Sequence, residues 1–172
     1  MFMDKLSRVL ACAIAVTATS SAYAAEQLVK LNGCEFSVQL PEKPVIKKGR
    51  RPQAGKATGP SIVALIRGRV PAYRVECQGF SSLPPNARQF VVGDTEDQAQ
   101  DIGLEDFQFD VADSHLGTVM EYSGIDVQAG HRFVVTGRTI LGRRSVFSLI
   151  VTEPSVLYPA EETRRVLGSI RR

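Results

Sequence analysis

The chain has 172 residues, with 21 Lys and Arg against 18 Asp and Glu, 44% hydrophobic residues, 7% aromatics, no Trp and three Cys. It is too apolar and too evenly charged for a disordered chain, too poor in cysteine for a disulfide mini-scaffold, and too short for two ordinary domains. One core is expected, since a domain of this size buries roughly 70% of its unfolded surface.

Residues 1–24 read as a signal peptide. Lys5 and Arg8 make a short positive start, Val9 to Val16 is an apolar run, and Ala22-Tyr23-Ala24 places small residues where a signal peptidase requires them. The run is too short to cross a hydrocarbon layer of about 30 Å. No Arg-Arg pair precedes it, which favours the general export route over twin-arginine transport. Val9-Leu10-Ala11-Cys12 superficially resembles a lipoprotein box, but a cut there leaves only three apolar residues ahead of the cysteine. Cleavage after Ala24 is therefore expected. Residues 25–172 then form a single domain, periplasmic or secreted, with no transmembrane span in the mature chain.

That domain holds two cysteines, Cys34 and Cys77. An even pair in an oxidising compartment most simply forms one disulfide. From Cys34 to Leu40 the even positions are apolar, and from Tyr73 to Gln78 the odd ones are, so each thiol falls in the buried register of a strand. Two buried reduced thiols are the alternative. A catalytic redox pair has less support, because there is no Cys-x-x-Cys.

Strand signals dominate the rest. Leu28 to Leu31 and Cys34 to Leu40 flank Asn32-Gly33, a hairpin signal. Pro41 and Pro44 end that pairing, and residues 47–61, rich in Gly, Pro, Lys and Arg, read as a loop. Ser61 to Arg67 and Ala72 to Gln78 make a second strand pair. Pro84-Pro85 open a polar segment through Gly103, predicted as a helix with Phe90 and Val91 facing inward. Phe107, Phe109 and Val111 alternate with polar residues. Leu116 to Ser123, His131 to Leu141 and Arg144 to Val151 complete a meander. Thr163, Val166, Leu167 and Ile170 then fall on one helical stripe, with Glu161 and Glu162 at its start and Arg171 and Arg172 past its end, as the helix dipole favours. Strands in a run with helices apart from them define an α+β fold, a twisted antiparallel sheet covered by one or two helices.

The opening Cys34 to Pro41, the late strand Gly142 to Leu149 and the closing helix Thr163 to Ile170 resemble the PsbP-like superfamily, which includes bacterial exported proteins of the DcrB-like kind. The resemblance follows element order across most of residues 25–172. It implies an antiparallel sheet covered by helices and mostly binding or scaffolding roles, and it implies no reaction. The Cys34–Cys77 pair is not part of it.

Chemical motifs are sparse. Gly49 to Ala57 has five residues between its glycines and Ala after Lys56, where a phosphate loop needs four and a hydroxyl. Ser114 and His115 are neighbours in sequence, and neighbours on a strand point to opposite faces, so they make no dyad. Zinc would have only His115 and His131 once the thiols are oxidised. Asp94, Glu96, Asp97 and Asp101 lack the spacing of a calcium loop, and a solvated acidic helix face is the better reading, although a cation there stays open. Asp106 and Asp110 suggest a glycosidase pair only in principle, with nothing to fix their separation. No cofactor is expected.

Charge is the stronger signal. Lys43 to Arg74 is basic and holds no acid before Arg74, whereas Asp94 to Asp126 holds ten carboxylates and no Lys or Arg. Within the basic block Lys47, Lys48, Arg50, Arg51 and Lys56 are the candidate contacts for an unknown protein or an anionic envelope component. Nucleic acid is not an expected partner, since no binding motif is present. The reading is thus an exported, non-enzymatic binding or envelope accessory protein. Two alternatives are a small hydrolase using His115 or His131, and an exported enzyme inhibitor using residues 47–61.

Overall fold

Alternation of apolar and polar residues over Ala72–Ser82, His131–Leu141 and Ser145–Pro154 sets three long strands side by side at the centre of the molecule. The structure, a computed structural model, describes residues 26–49, 56–57 and 61–172. The expected signal peptide, Arg50 and Arg51 lie outside these residues.

In chain order the elements are β1 (Gln27–Lys30), β2 (Ser37–Leu40), β3 (Val45–Lys48), β4 (Lys56–Ala57), β5 (Ile62–Ile66), β6 (Ala72–Ser82), α1 (Ala87–Asp101), β7 (Glu105–Ser114), β8 (Gly117–Gln128), β9 (His131–Leu141), β10 (Ser145–Pro154), a 3-10 turn (Ser155–Leu157) and α2 (Glu161–Gly168). The main sheet runs β3-β5-β6-β10-β9-β8-β7, with β4 paired to β6, while β1 and β2 form a separate hairpin. Every pairing is antiparallel. This is an α+β fold with two helices.

One face of the sheet carries the main core. Tyr73, Val75 and Cys77 of β6 and Phe147, Leu149 and Val151 of β10 meet Phe36, Val38 and Leu40 of the hairpin and Val166 and Ile170 of the C-terminal segment. The Cys34 and Cys77 sulfurs lie at bonding distance, with Cα atoms 5.9 Å apart, which ties the hairpin loop to the sheet. A backbone bridge between Ser37 and Arg171 and a bond from the Gln39 amide to Ser169 Oγ (2.9 Å) fasten the hairpin to the chain's last turn. Glu153, 1% exposed, accepts hydrogen bonds from the Ala160 amide (3.3 Å) and Thr163 Oγ1 (3.1 Å). A carboxylate from β10 thus caps α2, whose own Ala160 has no side-chain acceptor. Beside it Glu162 binds Arg69 through both oxygens (2.8 and 2.9 Å) and accepts from the Tyr73 hydroxyl (2.8 Å). Burial, and after it the Glu162 carboxylate, holds the Tyr73 pKa above the ordinary phenol value.

The other face is covered by α1, which rests on β7, β8 and β9. Its buried residues are Ala87, Val91, Thr95 and Ala99, four positions apart, so Phe90 is not an inner contact as expected but 38% exposed. The reason is size: a row of small side chains lets the helix sit close to the sheet, and Phe90 falls one residue off that row. Other expectations shift at their edges. Asn32-Gly33 does form a turn, closed by the Cys34 amide to the Leu31 carbonyl (3.1 Å), but pairing resumes only at Ser37, so Cys34 is buried in the loop and not in a strand. Residues 47–61 are not wholly loop, since Lys47 and Lys48 belong to β3 and Lys56-Ala57 form β4. Strand β8 continues through Gly124 to Gln128, where Leu104 packs in the space a side chain would fill.

On the α1 side Tyr122 lies across Gly137, its cross-strand partner. Burial pushes the Tyr122 pKa up to about 12, with Arg74 pulling it the other way. Folding therefore holds a proton there that the unfolded chain releases near pH 10. Stability from this group is full below about pH 10 and falls as pH rises towards 12, by up to about 3 kcal/mol. Tyr122→Phe is expected to flatten that alkaline loss, as read from urea midpoints at neutral pH and at about pH 11. Equal losses in both proteins would refute the assignment.

Candidate functional site

The hairpin and α2 cover only part of their face of the sheet. Beyond them the inward positions of β7, β8 and β9 turn polar, and an open cleft of about 390 Å³ lies there. Its floor consists of two cross-strand rows. Register aligns Asp110, Glu121 and Arg138 in the first and Gln108, Ser123 and Thr136 in the second. Tyr158 and Leu167 form the wall beside α2. Continued across β10 and β6, the same rows become Leu149–Val75 and Val151–Tyr73, which are buried under the hairpin. The change from polar to apolar thus marks the hairpin's edge.

Arg138 organises the cleft. Its guanidinium pairs with Glu121, and its Nη1 donates to the Leu167 carbonyl at 2.8 Å, meeting an acceptor that the end of α2 leaves free. The Thr136 hydroxyl is buried with no hydrogen-bond partner. A buried hydroxyl without a partner forfeits on the order of 1–3 kcal/mol, and this one is closed off from the cleft. The cleft can hold a polar molecule through carboxylate, amide, hydroxyl and guanidinium groups against one tyrosine ring.

The residues singled out in sequence are dispersed. Lys47 and Lys48 are exposed on β3, the edge strand. Lys56 pairs with Ser82. His115 is exposed in the β7–β8 turn, and His131 is exposed at the start of β9, opposite Gln128. They therefore lie at opposite ends of β8 and assemble nothing together. Asp94, Asp97 and Asp101 are exposed along α1, and no group of three or more metal-ligating side chains occurs among the described residues. Asp106 takes φ 51° within the register shift that opens β7 and has no cross-strand partner there, whereas Asp110, further along the same strand, pairs with Glu121. Among the described residues no helix is long and apolar enough to cross a membrane.

No family model matches the chain, and no curated protein matches it. Two solved structures are similar in outline. A protein of unknown function from Pseudomonas aeruginosa is 13% identical with a TM-score of 0.41, over 81% of this chain and 90% of that one. LpqN of Mycobacterium tuberculosis, involved in cell envelope biogenesis, is 15% identical with a TM-score of 0.41, over 84% of this chain and 88% of that one. At that level of likeness neither neighbour's role transfers to this chain.

Proposed function

We propose that the protein is an exported, non-enzymatic binding protein of the cell envelope, active in the periplasm or after secretion, and that it holds a polar ligand in the cleft over β7, β8 and β9. The observation that carries the reading is the cleft floor, where Asp110, Glu121 and Arg138 align beside Tyr158. Export is supported by the leader-like sequence and by the Cys34–Cys77 pair at bonding distance. The layered order of hairpin, sheet and helices supports the PsbP-like resemblance. The basic edge at Lys47 and Lys48, with Arg50, Arg51 and Lys56 near it in sequence, supplies a second contact for an anionic envelope component. A hydrolase has less support, because His115 and His131 stand exposed and apart.

Amide resonances of isotope-labelled residues 25–172, followed during titration with soluble envelope polymers, test this. Shifts are expected at Gln108, Ser123 and Thr136, and Asp110→Asn is expected to weaken binding on the order of tenfold. Shifts confined to β3, abolished by Lys47→Ser with Lys48→Ser and by salt, would leave the basic edge as the contact and remove the cleft. No shift at saturating polymer overturns both.

A further inference from the structure

Folding sorts the charges by end of the sheet. Strands β6, β7 and β9 finish, and β8 and β10 begin, at the end where connections 31–36, 83–86, 115–116 and 142–144 lie. Residues 169–172 return to it, since Arg171 bridges Ser37 and Arg172 donates to the Leu116 carbonyl at 2.6 Å. These five segments hold Arg143, Arg144, Arg171 and Arg172, all exposed, against the Glu35 side chain and the carboxylate of residue 172. Glu35 is itself engaged, by the Arg144 amide (2.6 Å) and the Ser145 hydroxyl (3.2 Å). Beside them Asp113 is paired with Arg88 (3.7 Å), Glu76 of β6 is paired with Arg74 (2.7 Å), and Lys30 is exposed at the end of β1. Asp94 and Asp110 stand further down α1 and β7. Connection 49–61, between β3 and β5, contains no Asp or Glu. The opposite end is mixed, with Glu42, Asp101 and Asp106 among Lys43, Arg67 and Arg132.

The four arginines lie outside the basic block of the sequence and are brought together by packing. Phe36 joins the two pairs: its ring edge would stand 2.8 Å from a Cβ on Gly142, and the Arg172 guanidinium lies 5.5 Å from the ring centre. None of the four enters an ion pair among the described residues. Guanidinium forks reaching one anion from two segments suit a tetrahedral phosphate, whose oxygens point out of a single plane. The five segments expose no large apolar side chain, although Phe90, in the first turn of α1, is 38% exposed beside one of them. Stable attachment to a membrane takes apolar insertion as well as charge, and this end brings charge alone. A soluble linear polyanion is held by charge alone, through release of its condensed counterions. We propose that this end of the sheet binds a soluble linear polymer of phosphate groups, held for its charge and not for bases or acyl chains. The contact is independent of the cleft and of the edge at Lys47 and Lys48.

Binding of end-labelled inorganic polyphosphate to residues 25–172, followed by fluorescence anisotropy, tests the proposal. Saturable binding is expected at about 0.1 M salt, weakening steeply as salt rises. Arg143→Ser with Arg144→Ser lowers the affinity on the order of tenfold; adding Arg171→Ser and Arg172→Ser lowers it on the order of hundredfold and flattens the salt dependence. Lys43→Ser with Arg67→Ser, which removes two charges from the opposite end, leaves it nearly unchanged. The Arg143 and Arg144 side chains make no hydrogen bond or ion pair among the described residues, and thermal melts establish that each variant is folded. An equal loss from the Lys43 and Arg67 changes overturns the proposal, since net charge would then suffice. So does displacement of the polymer by orthophosphate at the same phosphate concentration. Tighter binding of phosphatidylglycerol vesicles, or of an oligonucleotide with the same number of phosphates, also overturns it.

Discussion

Replacing Cys34 and Cys77 with alanine lowers the unfolding free energy by about 4 kcal/mol. The crosslink closes a separation of 43 residues, and in the chain-entropy account a loop of that size restricts the unfolded ensemble by about that amount. Domains of this kind have only about 5–15 kcal/mol in hand. The loss is local as well as global, because Cys34 fixes the hairpin loop against β6 and Cys77 sits in a row with Phe147 and Ile140. Urea unfolding of the oxidised protein, of the same protein in reductant and of the double-alanine variant checks this. Coincident midpoints for all three would mean the crosslink adds nothing, and two free thiols in the purified protein would remove the structural argument for an oxidising compartment.

Gly137→Ala is expected to destabilise by about 2 kcal/mol, against the usual sign. Gly137 has no left-handed φ, so in open space an alanine in a strand would restrict the unfolded chain and add about 0.5–1 kcal/mol. Here a methyl group would stand 2.0 Å from Tyr122 Cζ and 2.1 Å from Cε1, well inside contact distance. The ring must lift or the strand must shift, and overpacking of that sort costs about 1–3 kcal/mol. Tyr122→Ala removes the obstacle, so the double variant is expected to be more stable than the sum of the two single losses by about 1–2 kcal/mol. Additive losses would mean that the ring does not depend on the bare glycine.

Much of the sheet is legible in the sequence because its central strands alternate cleanly. His131 to Leu141 is read to its ends, and β6 and β10 are missed only by the last few residues. Strand β3 is not legible: Val45-Ile46 is too short to show a period, and Lys47-Lys48 look like loop. It exists because β5 offers it a partner edge. Phe90 misleads for a related reason, since helix α1 is set down on alanine and threonine and hydrophobicity points to the wrong side of it. The cleft is the least legible feature. Asp110, Glu121 and Arg138 are far apart in sequence and become a row only when three strands take their register. One trace of it was available: in β9 the inward series Val134, Thr136, Arg138, Ile140 has a polar pair in the middle, and a fully covered strand would not.

The Ser37–Arg171 bridge has a consequence for how the molecule comes to be. Apart from the Cys34–Cys77 link and packing on β6, the hairpin is fastened to segments more than a hundred positions later: Glu35 bonds to Ser145, Gln39 to Ser169, Ser37 to Arg171. A polypeptide made amino end first presents Phe36, Val38 and Leu40 long before their full shelter arrives. Native closure must then await release of the final turn, a late and slow event of the kind distant contacts impose. Until that moment the nascent hairpin is a greasy, unshielded ribbon, and whatever escorts it through the interval decides the yield.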